Sequence, residues 1–168
     1  ADLLRLIDQE TTPDRERAMA ALDAACSELL AVDALMSRFR SDSDVGRVNA
    51  GAPSRSPVEI SDATAHVLRA GVAWAARSAG AFDPCVGRAV EAWDPRRHAT
   101  PPAPALLERL AGRSHWRDLD LDVRGGRPVA RLTDAGAALD LGGIAKGYAV
   151  DRAVRALRTL GVEHGFVN

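Results

Sequence analysis

The residues best suited to chemistry fall in one stretch, residues 139–151, which reads L-D-L-G-G-I-A-K-G-Y-A-V-D. A short apolar run at residues 137–141, interrupted only by Asp140, precedes a Gly-Gly pair, and apolar residues then recur at helical spacing. This pattern predicts a strand, a turn without side chains and a helix. Backbone N–H groups at such a turn can approach a ligand closely, with the positive end of a helix dipole behind them. The pattern predicts either an anion site or a plain strand–turn–helix junction, and it matches neither the P-loop nor the Rossmann fingerprint.

Lys146 stands in the first turn of this predicted helix. Lysine and arginine together number 22, and Lys146 is the only lysine among them. A cation at this place opposes the helix dipole by roughly a few tenths of a kcal/mol unless an anion compensates it. A compact ammonium at a glycine-rich turn, in a chain that otherwise uses arginine, indicates contact with an anion. The alternative is a side chain that points into water.

The composition excludes several classes of protein. The chain has 168 residues, a length that fits one domain. Its formal net charge of −1 lacks the basic footprint of a nucleic-acid binder or a membrane anchor. No apolar run is long enough to cross a bilayer. Cys26 and Cys85 have no metal or redox spacing and are predicted to be free thiols, and four scattered histidines argue against a histidine zinc site.

The elements that must position these residues can be predicted from periodicity and capping. A long helix opens at Asp14 and ends near Ser37, and its apolar stripe is predicted to be core. A second helix is capped by Ser61, turns Trp74 inward and ends at Gly80.

Strand signals are spread along the chain. Residues 119–132 read as a β-hairpin around a Gly-Gly turn, and residues 1–9 and 165–168 read as strand ends. Because helices and strands are mixed without regular βαβ alternation, the predicted fold class is α+β.

Three further residues have a plain structural interpretation when each is taken alone. Phe39 lies between two arginines and is interpreted as a hydrophobic plug under the end of the first helix. Asn49 is interpreted as a turn residue. Asp83 precedes Pro84, which holds it outside the α region, so its carboxylate is expected to cap nearby backbone N–H groups.

Taken together, three segments resemble one family, the FAD:protein FMN transferases, also called the ApbE family. They are residues 37–49 (S-R-F-R-S-D-S-D-V-G-R-V-N), 80–87 (G-A-F-D-P-C-V-G) and 140–151 (D-L-G-G-I-A-K-G-Y-A-V-D). The segments occur in the family's order and at its approximate spacing. The resemblance implies an ApbE-like mixed sheet with packed helices, as one domain over residues 1–168.

The resemblance also implies an activity. In that family the FMN half of FAD is transferred, with Mg²⁺, to a threonine hydroxyl of a target flavoprotein, and AMP is released. Contacts with FAD are implied at Phe39, Ala81, Phe82, Asp83, Asp140 and Lys146. Phe39 replaces the usual tyrosine against the isoalloxazine, Asp140 and Lys146 take the catalytic positions, and the backbone carbonyl of Gly143 takes the position of a magnesium ligand.

Two departures from the family define the expectations for this chain. The family's Met-Gly-Thr strand would precede Ala1, and its Gly-Gly-Asp turn, with the Asp and Thr that complete the magnesium site, would follow Asn168. The chain is therefore expected to be a domain incomplete at both ends. The alternative function is a non-catalytic FAD-binding module, or an inactive fragment that needs a missing C-terminal half.

The absence of a visible signal favours the cytoplasm, whereas the family suggests the periplasmic side of the bacterial inner membrane.

Overall fold

A computed structural model describes residues 12–111, 114–165 and 167 of the chain. Its helices are α1 Thr12–Met36, α2 Asp44–Ala50, α3 Asp62–Arg77, α4 Gly87–Ala92, α5 Pro104–Ala111 and α6 Ala145–Thr159. Its strands are β1 Val58–Glu59, β2 Leu119–Arg124 and β3 Arg127–Leu132. Helices with one small antiparallel sheet confirm the α+β class. The strand predicted at residues 1–9 lies outside the described residues, and so do residues 166 and 168 of the strand predicted at 165–168.

The chain divides into two compact units. The first contains the described residues of Ala1–Asp33 and Lys146–Asn168, and the second is Ala34–Ala145. In the first unit an ion pair joins α1 to α6, with Arg152 Nε 2.5 Å from Glu28 Oε2. Small side chains are buried on both helices, namely Ala21, Ala25, Ala149 and Ala153. None of the described helices has the length and apolar character needed to cross a membrane.

The sheet of the second unit has the strand order β1–β3–β2, and both pairs are antiparallel. The hairpin predicted at residues 119–132 is confirmed as β2 and β3. Its turn requires glycine, because Gly125 and Gly126 have φ angles of 57° and 80°, in the left-handed region that residues with a Cβ avoid. Leu119 pairs with Leu132 at the base of the hairpin, and both side chains are buried.

Helix α3 begins as predicted, because the Ser61 side chain accepts a hydrogen bond from the backbone N–H of Thr64. The prediction that Trp74 faces the core is wrong, since its side chain is 54% exposed. Because apolar residues lie on most sides of this alanine-rich helix, the sequence pattern allows either of two faces to be buried. The buried stripe is Thr64, Ala65, Val67, Leu68, Gly71 and Ala75. It is the stripe that brings the Thr64 hydroxyl to a buried carboxylate, that of Asp44.

Asp44 begins α2 and is the centre of a buried polar cluster. Its carboxylate is 4% exposed. Its Oδ2 accepts hydrogen bonds from the Ser61 N–H (2.9 Å), the Ser61 hydroxyl (2.7 Å) and the Thr64 hydroxyl (2.6 Å). Its Oδ1 pairs with Arg47. Burial alone would raise the pKa of Asp44, but the hydrogen bonds from Thr64, Ser61 and Arg47 outweigh it and hold that pKa below the ordinary value.

The strand predicted at residues 137–141 is not a regular strand. Within it, only Ala138 forms a β-bridge, a parallel one with Val86. The apolar side chains of the segment are buried as expected. Its backbone, however, is bonded by the loop before α4 rather than by a neighbouring strand, as in the hydrogen bond from Asp140 N to Pro84 O (2.9 Å). An apolar run bounded by glycine predicts burial but not the partner that satisfies its backbone.

Candidate functional site

The three segments that carry the resemblance meet at Asp140. Asp140 Oδ2 lies 3.0 Å from Nε of Arg38, a residue of the first segment. The Asp140 N–H donates to the carbonyl of Pro84, a residue of the second segment (2.9 Å). Its Oδ1 accepts from Gly142 N, which fixes the start of the Gly-Gly turn (2.9 Å). The carboxylate is thus held by two partners and the backbone of the same residue by a third, so Asp140 has a defined position.

Phe39 is exposed beside this junction. Its side chain is 67% exposed, so the interpretation as a plug under the first helix is wrong. The Arg38 guanidinium lies 4.3 Å from the ring centroid, a cation–π contact that holds the ring while most of it remains accessible. An exposed, positioned aromatic ring is a platform on which a planar ligand can stack.

Phe39 borders a cleft of about 460 Å³. Its polar lining includes Arg38, Arg88 and Arg97 against Glu91, and Glu91 pairs with both Arg88 and Arg97. Each of these guanidiniums already faces a carboxylate, since Arg38 pairs with Asp140 and Arg97 also lies 3.9 Å from Asp94, so the charges of the cleft are largely compensated. Three other clefts in the described part of the chain contain none of the predicted site residues.

The Gly-Gly turn is open to solvent. Gly142 and Gly143 are both exposed. A Cβ at Gly143 would lie 3.1 Å from Cε2 of Phe82, so the Phe82 ring packs against the turn and a side chain at 143 would crowd it. The structure thus brings Phe82 and Gly143 together. Lys146 follows three residues later along the chain, exposed in the first turn of α6.

Asp83 has the capping role that the sequence suggested. It is 9% exposed, and its two oxygens accept from Cys85 N (2.8 Å) and Trp116 N (3.1 Å). The carboxylate therefore shapes the turn, while Ala81 at the start of the turn is exposed. Contacts of Ala81 and Asp83 with FAD stay predictions.

Asn49 lies in α2 and helps to build the site, so its interpretation as a turn residue is wrong. Its side chain forms two hydrogen bonds with the backbone of Leu139, accepting from the N–H (2.7 Å) and donating to the carbonyl (3.0 Å). The Asn49 side chain therefore supplies the hydrogen bonds that a neighbouring strand would otherwise give to Leu139, in the segment that leads to Asp140. Its place at the end of the first segment was a signal that a turn residue alone would not explain.

Replacing Asn49 with alanine is expected to lower the free energy of unfolding by about 2–4 kcal/mol, because two backbone groups of buried Leu139 lose their partners. Chemical denaturation monitored by circular dichroism measures the change. Asn49→Asp is an informative companion, since it keeps the acceptor for the Leu139 N–H but places a carboxylate against the Leu139 carbonyl. A loss below about 0.5 kcal/mol for Asn49→Ala, typical of surface positions, would contradict this role.

The residues near the turn do not by themselves make a magnesium site. Mg²⁺ requires near-octahedral oxygen coordination, and the resemblance gives one ligand here, the carbonyl of Gly143. The nearest carboxylate in sequence, Asp140, is engaged with Arg38 and Gly142. Among the described residues, no group of three or more His, Cys, Asp or Glu that could hold an ion includes this turn. Any magnesium bound here would need oxygen ligands besides this carbonyl, such as water or the phosphates of the nucleotide.

Solved structures of ApbE proteins share this fold. The flavinyl transferase ApbE of Pseudomonas stutzeri is similar with a TM-score of 0.72 and 30% sequence identity, over 86% of this chain and 45% of that one. The ApbE protein of Thermotoga maritima is similar with a TM-score of 0.72 and 29% identity, over 91% of this chain and 47% of that one.

The chain belongs to the ApbE family, because the model of that family matches residues 5–168. A relative from Treponema pallidum, named FAD:protein FMN transferase, is 34% identical over 154 residues, which cover 89% of this chain and 42% of the relative. The resemblance drawn from the three segments is thus confirmed. The chain spans about half the length of the curated relatives it matches.

Proposed function

We propose that this chain binds FAD and transfers its FMN half, with Mg²⁺, to a threonine hydroxyl of a target flavoprotein with release of AMP. The observation that supports this most is the junction at Asp140, where all three segments of the resemblance are tied together beside an exposed Phe39. Relatives that carry the name FAD:protein FMN transferase support the reaction class.

In the proposed complex the isoalloxazine stacks on Phe39, beside the arginine-lined cleft. The diphosphate then lies at the Gly142–Gly143 turn, where absent side chains let it approach the backbone. The Lys146 ammonium pairs with it, which turns an unfavourable cation at a helix start into a favourable contact. Phe82, packed against Gly143, limits the space and orients the phosphates.

The transfer requires an in-line displacement at phosphorus. The threonine oxygen bonds to the FMN phosphorus, the bridging P–O bond breaks, AMP leaves with the bonding electron pair, and the hydroxyl proton is released. Positioning and electrostatics provide most of the catalysis in such a reaction. Magnesium, when bound, supplies Lewis-acid stabilisation of the phosphate oxygens. This chain's part is to bind and orient FAD and to neutralise charge with Lys146.

The second candidate is a non-catalytic FAD-binding module, or a part that needs the rest of the family's domain. It is favoured by the single magnesium ligand that the resemblance gives among these residues, the carbonyl of Gly143. Both candidates share the FAD site and differ only in transfer.

A flavin-transfer assay separates the two. The chain is mixed with FAD, MgCl₂ and an acceptor flavoprotein that carries a threonine, and the acceptor is examined for in-gel flavin fluorescence. Transfer that is lost in Lys146→Ala but kept in the exposed control His66→Ala supports the transferase. FAD binding without transfer supports the module, and no binding of FAD contradicts both.

Replacing Phe39 with alanine is expected to weaken FAD binding about two- to twelvefold, since an aromatic stack contributes about 0.5–1.5 kcal/mol. Quenching of flavin fluorescence on titration with protein measures the dissociation constant. Trp74→Ala is the matched control, because Trp74 is another exposed aromatic of the same unit (54%) and lies in none of the three segments. Equal effects of the two substitutions would contradict a stacking role for Phe39.

A further inference from the structure

His115 is a buried histidine with unsatisfied ring nitrogens. The residue is 2% exposed, and neither Nδ1 nor Nε2 has a hydrogen-bond partner among the residues that the structure describes. A buried polar atom without a partner carries a desolvation cost. The ring therefore indicates a ligand that approaches one of its nitrogens.

Two carboxylates converge on this ring. His115 and Asp118 are the ends of a 3₁₀ turn that leads into β2, and Asp118 Oδ2 lies 3.9 Å from His115 Nδ1, too far for a hydrogen bond. Asp134 follows β3. One ligand atom from each of the three residues lies within 4.8 Å of the other two.

The hairpin fixes this arrangement. The pair Leu119–Leu132 closes the base of the sheet, and the next residue on each side is joined by the hydrogen bond from Thr133 N to Asp118 O (2.9 Å). Asp134 Oδ1 accepts from Gly136 N (2.8 Å), which orients its carboxylate. The cluster thus lies on a rigid part of the second unit and on none of the three segments used for FAD.

We propose that His115, Asp118 and Asp134 form a binding site for a divalent transition metal, and that zinc is the ion the ligand set fits best. One imidazole nitrogen with two carboxylate oxygens matches the three-ligand zinc sites in which water takes the fourth position. Magnesium and calcium prefer oxygen ligands alone. The bound ion would tie the 3₁₀ turn before β2 to the turn after β3.

The dimensions of the cluster require only a local adjustment. Tetrahedral zinc with ligands at about 2.1 Å separates them by roughly 3.4 Å, whereas the present separations reach up to 4.8 Å. Closing that difference requires the carboxylates of Asp118 and Asp134 to rotate and to share contacts that they already make, such as the bond from Gly136 N to Asp134. Gly136 leaves the approach open, because a Cβ there would lie 3.0 Å from Asp134 Oδ1 and 3.5 Å from His115 Cε1.

The surrounding charge favours a cation. Burial raises the pKa of the neighbouring Cys85 thiol, and the negative charges of Asp83 and Asp118 raise it further. The negative charges of Asp83 and Asp118, which add to the effect of burial, would also attract a divalent cation.

Calorimetric titration of the untagged, chelator-treated chain with ZnCl₂, in the absence of FAD, tests the site. We expect one zinc per chain and a melting temperature raised by about 5–10 °C when free zinc is 100 times the dissociation constant. MgCl₂ should not bind. CoCl₂ should give the visible absorption of a tetrahedral or five-coordinate ion.

Two ligand variants make the test specific. His115→Gln and Asp134→Asn should each weaken zinc binding at least about tenfold, and Asp134→Asn keeps an acceptor for the Gly136 N–H, so it decides the matter if His115→Gln does not fold. Asp122→Asn, an exposed acid of the same hairpin, and His66→Ala should bind as the parent does. Absent zinc binding, or binding that the ligand variants leave unchanged, would overturn the proposal.

Discussion

Replacing Lys146 with alanine is expected to weaken FAD binding by about 10- to 150-fold. A hydrogen bond to a charged group contributes about 1.5–3 kcal/mol, and each 1.4 kcal/mol corresponds to about a tenfold change in the dissociation constant. The affinity falls because the diphosphate at the start of α6 would then lack its counter-ion. Lys146→Arg should lose less than alanine, since it keeps the charge but not the compact ammonium.

Fluorescence titration of FAD at two salt concentrations measures this effect. The parent should lose affinity as salt rises, and Lys146→Ala should show a smaller salt dependence because one charge pair is gone. Arg158→Ala is the matched control, an exposed cation in the last turn of the same helix. If both substitutions weaken FAD binding equally, net charge rather than a specific contact is responsible, and the role of Lys146 is contradicted.

The second large effect concerns stability. Replacing Asp44 with alanine is expected to lower the free energy of unfolding by about 3–5 kcal/mol, because removal of one partner from a buried charged network leaves the others unpaired. The donors affected are on Ser61 and Thr64, which begin α3, and on Arg47 in α2. Urea denaturation measures the change.

Asp42→Ala provides the control for Asp44. Asp42 is a nearby carboxylate whose side chain is 71% exposed and pairs with Arg40, and exposed pairs contribute about 0–1 kcal/mol. A similar loss in both variants would show that local charge, not the buried network, stabilises this region.

The Asp44 network also predicts a pH dependence. Because the folded-state pKa of Asp44 lies below its ordinary value, the unfolded chain binds the proton more readily. The stabilisation is therefore complete above the unfolded pKa, about 3.9, and is lost as pH falls through the folded pKa. Unfolding free energies measured from pH 6 to pH 3 should fall less steeply for Asp44→Asn than for the parent. Equal slopes would contradict this assignment.

Local signals were sufficient where short-range chemistry decides the structure. The Ser61 cap, the Gly125–Gly126 hairpin turn and the free thiols Cys26 and Cys85 are all confirmed. Each of these features depends on a residue and its immediate neighbours, so the local sequence is enough to predict it. The meeting of the three segments at Asp140 was not predicted, since the resemblance implied only that residues of each segment contact FAD.

Other features depend on partners that are distant in sequence. Helix α2 was not predicted, because residues 44–50 carry charges whose burial becomes possible only when Asp44 meets Ser61 and Thr64. The segment 137–141 was predicted as a strand because nothing local shows that the side chain of Asn49 is its partner. The His115 cluster likewise forms only after the hairpin has paired.

The site roles of Phe39, Ala81, Phe82, Asp83, Asp140, Gly143 and Lys146 stay predictions. The geometry adds content to them, since Phe39 is exposed, Phe82 packs on Gly143, and the carboxylate of Asp83 is directed to backbone N–H groups. A direct contact of the Asp83 carboxylate with FAD would require one of those hydrogen bonds to be shared.

A crystal structure of the chain with FAD tests the central claim most directly. It should show the isoalloxazine against the exposed ring of Phe39 and the diphosphate at Gly142–Gly143 within hydrogen-bond distance of the Lys146 ammonium. FAD bound elsewhere, or crystals grown at saturating FAD in which the nucleotide is absent from this site, would contradict it.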